Sequence, residues 1–488
     1  MRIKWKTSTL AMALATAVPL QADVILVPAD VPTIQDAVMI ASDGDQVLVG
    51  PGTWAEAIDF MGKQIQIASI KGPLQTSIKA PPDHSGSTVT IISRGTGKRL
   101  SQSLIGFTIG GGSGTLIDDP VFGPTPAGGG LICVNTSPEI IDCTFVGISI
   151  EGHGAGMAVV TGQPTLLNCR FNSNSSTGHA GGIYLLDNAA AMIEQCSFQG
   201  NSASWGGAIT CTVSSHAIIN ECMFIENMAI NVGGGIYVRS SSDPVISNCE
   251  FTGNIQEGNM AAGGGALTVY GWGNGGGPCH PLILGCTFAN NSTTGSGGAI
   301  AAVYSGNAEI RSCKFTGNTA QFGGGAINVV GADEAKTNVY LASSVLDFNI
   351  AQQNGGGVQA RSSSTTISNP SKITIDDCTI RDNTAEDGGG CSFFYSDEST
   401  IINSTVCNNM LWQVSGTWID GKGNWINDSC DATCPADLDG SGDVDGSDLA
   451  QLLAAWDTMN PDADLNEDGT VDGGDLALLL AAWGLCLP

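Results

Sequence analysis

The residues whose types and spacing most directly imply chemistry lie near the C-terminus. Asp437, Asp439, Ser441, Asp445 and Asp448 occupy positions 1, 3, 5, 9 and 12 of one loop, with the Asp443 carbonyl at position 7. Asp464, Asn466, Asp468, Asp472 and Asp475, with the Thr470 carbonyl, repeat the pattern in a second loop. Oxygen groups at this spacing, with glycine at position 6 for the sharp turn, form the ligand set of a calcium ion. The expectation is two calcium ions, one in each loop. Agreement of two copies in register argues against an acidic tail with fortuitous Asp-Gly turns.

In both loops position 12 is Asp rather than Glu, and an apolar helical run follows (Leu449 to Trp456, Leu476 to Trp483) while none precedes. With the tandem duplication, these features resemble a type I dockerin, the module that plugs into cohesin on scaffolds or cell surfaces. The resemblance implies a calcium-dependent assembly module with a cohesin-like or surface protein as partner. Dockerins contact cohesin from the positions just before position 12, which here are Gly446-Ser447 and Gly473-Gly474. Cys434 and Cys486 bracket the duplication, so a disulfide between them is expected in an oxidising compartment.

A second group of candidates lies upstream. Gly152-His153-Gly154 is similar to the short histidine motif of polygalacturonases, and Asp118-Asp119 offers acids of the kind inverting hydrolysis uses. The companion Asn-Thr-Asp and Arg-Ile-Lys motifs are absent beyond the leader, so Asp118, Asp119 and His153 are candidate catalytic residues without an assembled set. A Ser-His-Asp reading has no Gly-x-Ser-x-Gly elbow. Tyr184, Tyr237 and Tyr270 have outward strand parity and suit stacking against sugar rings, which makes a shallow glycan-binding strip the expectation. The alternative is ordinary stacking of strand-favoured residues between neighbouring coils. The other outward positions of these strands carry no acidic residue, which argues against a calcium-dependent lyase on that face.

These residues need elements to position them. Between about 125 and 410 a unit of roughly 26–34 residues recurs, a period that signals a repeat architecture. Its phrase is Gly-Gly-Gly-Ile-x-Val, a polar turn, Ile-x-x-Cys-x-Phe-x-x-Asn, and a small-residue turn, as at Gly233 to Val238 and Ile246 to Asn254. Short alternating runs place Ile236 and Val238 on one side with Tyr237 and Arg239 on the other, and Cys249 and Phe251 inward with Glu250 outward. Such runs predict an all-β, right-handed parallel β-helix with three short strands per coil, stacked about 4.8 Å apart. A propeller needs longer strands in repeats of about 40 residues. One file of cysteines (Cys143, Cys169, Cys196, Cys222, Cys249, Cys286, Cys313, Cys378) and one of asparagines (Asn174 to Asn409) read as core ladders, because no CxxC or histidine partner accompanies the thiols.

Gly206-Gly-Ala-Ile209 and Phe198-Gln-Gly-Asn201 resemble the repeats of chlamydial polymorphic outer-membrane proteins, adhesins of the pectin-lyase-like superfold. Those adhesins end in a membrane β-barrel, where this chain carries the acidic calcium module. Val27 to Val38 and Asp43 to Trp54 resemble the opening of secreted β-helix proteins. There Thr33 caps a helix bearing Ile34, Ala37, Val38 and Ala41, which covers the first coil. Trp412, Trp418 and Trp425 are available to cover the far end, and Cys407 and Cys430 to staple it.

Residues 1–22 read as a secretory leader, with a basic start, an apolar run from Thr7 to Leu20 and the small-residue exit at Ala22. The domain expectation is therefore leader 1–22, β-helix 23–430 with its cap region 23–60, and tail 431–488. A net charge of −28 disfavours nucleic acid and anionic membranes as partners, and no later stretch suits a membrane span. The expected function is a secreted or cell-surface β-helix protein that binds extracellular polysaccharide or mediates adhesion. The alternative is a polysaccharide-degrading hydrolase or lyase tethered through its tail.

Overall fold

The computed structural model describes residues 22–93, 102–258, 263–271, 276–331, 336–362, 371–396, 398–430, 434–439, 441, 443–466 and 468–485. All of the expected leader except Ala22 lies outside these residues, as does Cys486. The chain winds into a right-handed parallel β-helix. One central coil runs Leu131–Val134, Glu139–Ile141, Thr144–Val146 and Ser149–Ile150 before Met157–Gly162 begins the next. Like strands of successive coils pair in parallel and in register, for example Ile236 with Leu267 and Arg239 with Tyr270.

The expected three strands per coil become four. Sheet I (13 strands, including Leu131–Val134), sheet II (15, including Glu139–Ile141) and sheet III (14, including Thr144–Val146) run nearly the whole length. Sheet IV (8 strands, Ser149–Ile150 to Ile350–Ala351) accompanies only the central coils. Its strands are as short as two residues, too short for alternation to separate them from a turn. Single residues at positive φ, such as Asp142 (52°), Glu221 (53°) and Asn248 (53°), turn the chain between sheets II and III.

Inside, one continuous core runs from Ile25 to Val406. Phe145, Phe171, Phe198, Phe224, Phe251, Phe288 and Phe315 stack with centroids 4.6–4.9 Å apart and planes within 3–7°. The asparagine file is a hydrogen-bonded ladder. Asn254 Nδ2 donates to Asn291 Oδ1 (2.9 Å) and Phe224 O (2.8 Å), while Asn254 Oδ1 accepts from Asn227 N (3.1 Å) and Nδ2 (2.9 Å). The pattern continues to Asn409, which closes on Gln413 Oε1 at 2.9 Å. The cysteines of the ladder are buried free thiols.

The N-terminal helix Ile34–Ile40 forms as its sequence requires, with the Thr33 hydroxyl accepting from Asp36 N and Ile34, Ala37 and Val38 buried. Glu56 accepts from the backbone of Ile34 and Gln35, and Lys63 Nζ donates to the carbonyls of Val38, Met39 and Ala41 at 2.7–2.8 Å. Opposite charges thus hold the two helix ends that favour them. At the far end Trp418 and Ile426 pack on the core, and Cys407–Cys430 forms a disulfide. Trp412 does not cover that end, being 64% exposed.

The tail has its own small core of Val444, Leu452, Ala463, Val471 and Leu479. Its helices, Gly446–Ala454 and Gly473–Ala481, start earlier than the apolar runs suggest. Asp445 and Asp472 cap them, and Asp448 and Asp475 complete reciprocal capping boxes. Cys434 is disulfide-bonded.

Candidate functional site: a concave corner and a tail of oxygen loops

The outward residues of sheet I line a concave corner where the chain turns in from sheet IV. The turn is tight because of glycine: Gly206 sits at φ +64°, and a Cβ there would stand 2.3 Å from Thr210 Oγ1 and 2.6 Å from Ile209 O. Over the first coils of this corner folds an antiparallel hairpin, Thr115–Asp119 paired with Gly123–Ala127. Ile117 of the hairpin buries against Ile132, Ala158, Ala180, Tyr184 and Leu186, a satellite core separate from the main one.

The hairpin decides the fate of the upstream candidates. Asp118 is exposed and Asp119 buried, on opposite sides of the strand, so they do not form a working pair. Asp119 Oδ1 accepts from Val121 N (2.8 Å) and Phe122 N (3.1 Å), closing the hairpin tip, and Oδ2 accepts from the Tyr184 hydroxyl at 2.7 Å. His153 Nδ1 accepts from His179 N at 2.9 Å. The rings of His153 and His179 lie 5.0 Å apart, with Phe122 at 5.2 and 5.0 Å from them. Burial lowers the pKa of His153, opposed by the Asp119 charge, and lowers that of His179 further, assisted by His153 and Arg239. Both imidazoles are therefore neutral near pH 7. Burial and the neighbouring Asp119 carboxylate raise the Tyr184 pKa well above its ordinary value.

The tyrosines correct the expectation of an open strip. Tyr184 is 0% and Tyr237 5% exposed, so neither offers a free face for stacking; only Tyr270 is partly open, edge-on to Tyr304 at 5.6 Å. Their outward parity holds, but alternation cannot reveal what covers a face. Trp205, His179 and Phe122 take the place of the strip: Trp205 stacks on His179 at 4.9 Å, and Phe122, 44% exposed, stands at the rim with Arg239 5.8 Å from its ring. His179 and Trp205 were discoverable, since they precede the glycine phrase at the repeat position of His153.

Farther along, the corner becomes polar. Asn328, Gln359 and Ser392 stand in register on adjacent coils, with Arg361 beside them. Thr212 Oγ1, both amide atoms of Asn328, Arg361 Nε and Ser392 Oγ are buried without a protein partner. Groups of this kind take a hydrogen-bond partner from water or ligand. Asp387, bonded to Ser415 at 3.1 Å, is seven coils along sheet I from Tyr184, the partner of Asp119. At about 4.8 Å per coil that spacing far exceeds the roughly 5–9.5 Å that separates the carboxyl pair of a glycosidase.

His280 lies on the sheet II side. There its backbone N donates to Asp243 and its ring meets the Asn307 amide at 3.3 Å. Trp272 lies outside the described residues.

In the tail, ligand oxygens of Asp437, Asp439 and Asp448 lie within 4.8 Å of one another. Asp448 is fully buried. Its Oδ1 accepts from Leu438 N and Asp439 N and its Oδ2 from Asp445 N at 2.7 Å. Burial opposes its charge, but these amides outweigh it and lower the pKa. Ser441 N donates to both Asp437 and Asp439 at 3.0 Å, and Ser441 Oγ to the Asp443 carbonyl at 3.2 Å. The second loop repeats the scaffold: Asp468 N donates to Asp464 and Asn466, Thr470 N to Asp468, and Asp475, also buried, accepts from Asn466 N and Asp472 N. The amide of Asp472 leads in lowering the Asp475 pKa. The converging oxygens of Asp437, Asp439 and Asp448 are of the kind that fits a hard divalent cation.

The fold and corner define a protein class, the right-handed parallel β-helix. The family model for the right handed beta helix region matches residues 106–274 and 181–342. Among curated proteins, none matches the sequence. Among solved structures, the catalytic domain of a GH87 alpha-1,3-glucanase in complex with tetrasaccharides is similar, with a TM-score of 0.48 and 15% identity over 86% of this chain and 71% of that one. A polygalacturonase from Erwinia carotovora ssp. carotovora gives 0.29 and 13% identity, covering 83% and 94%. A mannuronic acid specific polysaccharide family 6 lyase from human gut microbiota gives 0.35 and 12%, covering 82% and 91%. Among the described residues no helix is long and apolar enough to cross a membrane.

Proposed function

We propose that this is a secreted or cell-surface protein whose β-helix binds extracellular polysaccharide along the sheet I corner, with the tail as a calcium-folded assembly module. The observation that carries the reading is the corner's composition. Aromatic Phe122 and Trp205 stand at its rim, and the partly exposed Tyr270 and Arg361 lie farther along it, above a buried polar floor of Thr212, Asn328 and Ser392. Sugars offer apolar ring faces and hydroxyls together, and this combination matches them.

In the tail, Asp437, Asp439, Ser441, Asp443, Asp445 and Asp448 hold one calcium, and Asp464, Asn466, Asp468, Thr470, Asp472 and Asp475 the other. The short residues Gly446-Ser447 and Gly473-Gly474 begin the two helices and leave few side chains there with which to grip a cohesin-like partner. The test is retention of the full chain on a panel of insoluble polysaccharides with calcium present, scored also for new reducing or unsaturated ends. Retention without new ends supports binding, new ends support the enzyme alternative, and failure on the whole panel rejects the reading.

A further inference from the structure

On the outer face of sheet II, away from the corner, lies a cleft of about 360 Å³ lined by His280, Asn307, Glu309, Tyr340, Lys372 and Thr374. Glu309, Tyr340 and Thr374 stand in register on successive coils, so the cleft is built on rigid sheet. Its central ring is fixed from two directions. The Tyr340 hydroxyl donates to Asp376 Oδ2 at 2.8 Å, and the Arg311 guanidinium lies 4.7 Å from the ring centroid. Arg311 is itself held by Glu309 at 2.5 Å. On the neighbouring row, Asn307 Oδ1 accepts from Asn338 N at 2.8 Å, which aims its amide nitrogen at His280 Nε2.

The charges of the cleft are internally paired. Lys372 and Lys336 share Glu398, each at 3.2 Å, and Arg311 is matched by Glu309. With Asp376, which accepts from the Tyr340 hydroxyl, three carboxylates (Glu309, Asp376 and Glu398) match the three cations, so these groups offer an immobilised aromatic ring flanked by planar polar groups and carry no net positive charge to attract an anion. Its size falls toward the small end of ligand sites, about 300–1,000 Å³.

We propose that this cleft binds an uncharged saccharide, as a second carbohydrate site on a separate face of the β-helix. Tyr340 provides the stacking surface, and Asn307, Glu309 and Lys372 meet the hydroxyls. Two sites on two faces would let one rigid rod bridge two glycan chains. The inference stands on the cleft's own groups and does not need the corner to bind.

The experiment titrates the full chain with neutral gluco-, xylo-, manno- and galacto-tetrasaccharides, using saturation-transfer NMR and calorimetry, with a tetra-uronate as the charged comparison. Tyr340→Ala should weaken binding of the best neutral ligand by about tenfold or more, and Tyr340→Phe by far less. Thr374→Arg, which fills the cleft from a half-buried, outward-facing strand position, should abolish that binding even if Tyr340→Ala folds poorly. Phe122→Ala, at the corner, should leave it unchanged. The inference falls if no neutral tetrasaccharide binds, if the tetra-uronate binds better, if Thr374→Arg retains full affinity, or if Phe122→Ala causes an equal loss. The corner reading is judged separately, by the effect of Phe122→Ala on polysaccharide retention.

Discussion

The Tyr184 hydroxyl donates to Asp119 Oδ2 at 2.7 Å, a buried bond between residues 65 apart in sequence. It ties the tip of a β-hairpin to the floor of the β-helix corner. The same carboxylate closes the hairpin by accepting from Val121 and Phe122, so one side chain sets both the local turn and its docking.

Tyr184→Phe should release the hairpin without unfolding the β-helix. A hydrogen bond to a charged group contributes about 1.5–3 kcal/mol, and the loss should appear locally. Hydrogen exchange across residues 115–127 should accelerate while amides of the phenylalanine stack keep their protection.

The hairpin should also loosen in acid. His153 and His179 have folded pKa values lowered from 6.5, chiefly by burial. Their contribution is complete above the unfolded value and declines as pH falls below about 6.5, because the unfolded state takes up protons that the buried imidazoles refuse. Exchange of residues 115–127 measured from pH 7.5 to 5 should show this decline, and His179→Gln should flatten it.

Asn254→Ala should be among the most damaging single changes in the repeat. It strands the Asn227 backbone and side-chain N–H groups and the Phe224 carbonyl. At about 1–3 kcal/mol for each unsatisfied group, the total cost should exceed roughly 3 kcal/mol. Denaturant unfolding monitored by far-UV circular dichroism measures it.

The cysteine ladder should be chemically silent. Burial pushes the Cys143 thiol up to about 12, and Cys286 reaches about 12 chiefly through its bond with Cys249. Iodoacetamide at pH 8 should label none of the ladder thiols in the native protein and all of them in denaturant. Cys286→Ser should be tolerated, since Ser344 already fills the equivalent position and accepts from Cys313 N at 3.0 Å.

Calcium removal should act on the tail alone. Its small core of Val444, Leu452, Val471 and Leu479 shares no residue with the long core. Chelation should therefore abolish a low-temperature transition in calorimetry and leave the β-helix transition in place. Asp448→Ala should mimic chelation, because it removes both a proposed ligand oxygen and the capping-box carboxylate.

The sequence made the interior legible because the interior is periodic. Phe251, Cys249 and Asn254 recur at fixed offsets, and Thr33 announces its helix with one hydroxyl. Outside the core, legibility stops at parity. The outward orientation of Tyr184 was readable, but its burial depends on a hairpin whose Asp119 arrives from a different part of the chain. Tyr340 escaped notice for a related reason: it belongs to the second strand of its coil, whereas the other tyrosines follow the glycine phrase. Sheet IV was invisible because two-residue strands carry no pattern.

The central claim is that the sheet I corner holds polysaccharide, and the most direct measurement compares retention of the native chain and a Phe122→Ala/Trp205→Ala variant on a polysaccharide that retains the native chain. Both proteins should show the same β-helix melting transition. The account predicts that the variant's affinity falls by about tenfold or more. Equal retention of the two proteins would contradict it.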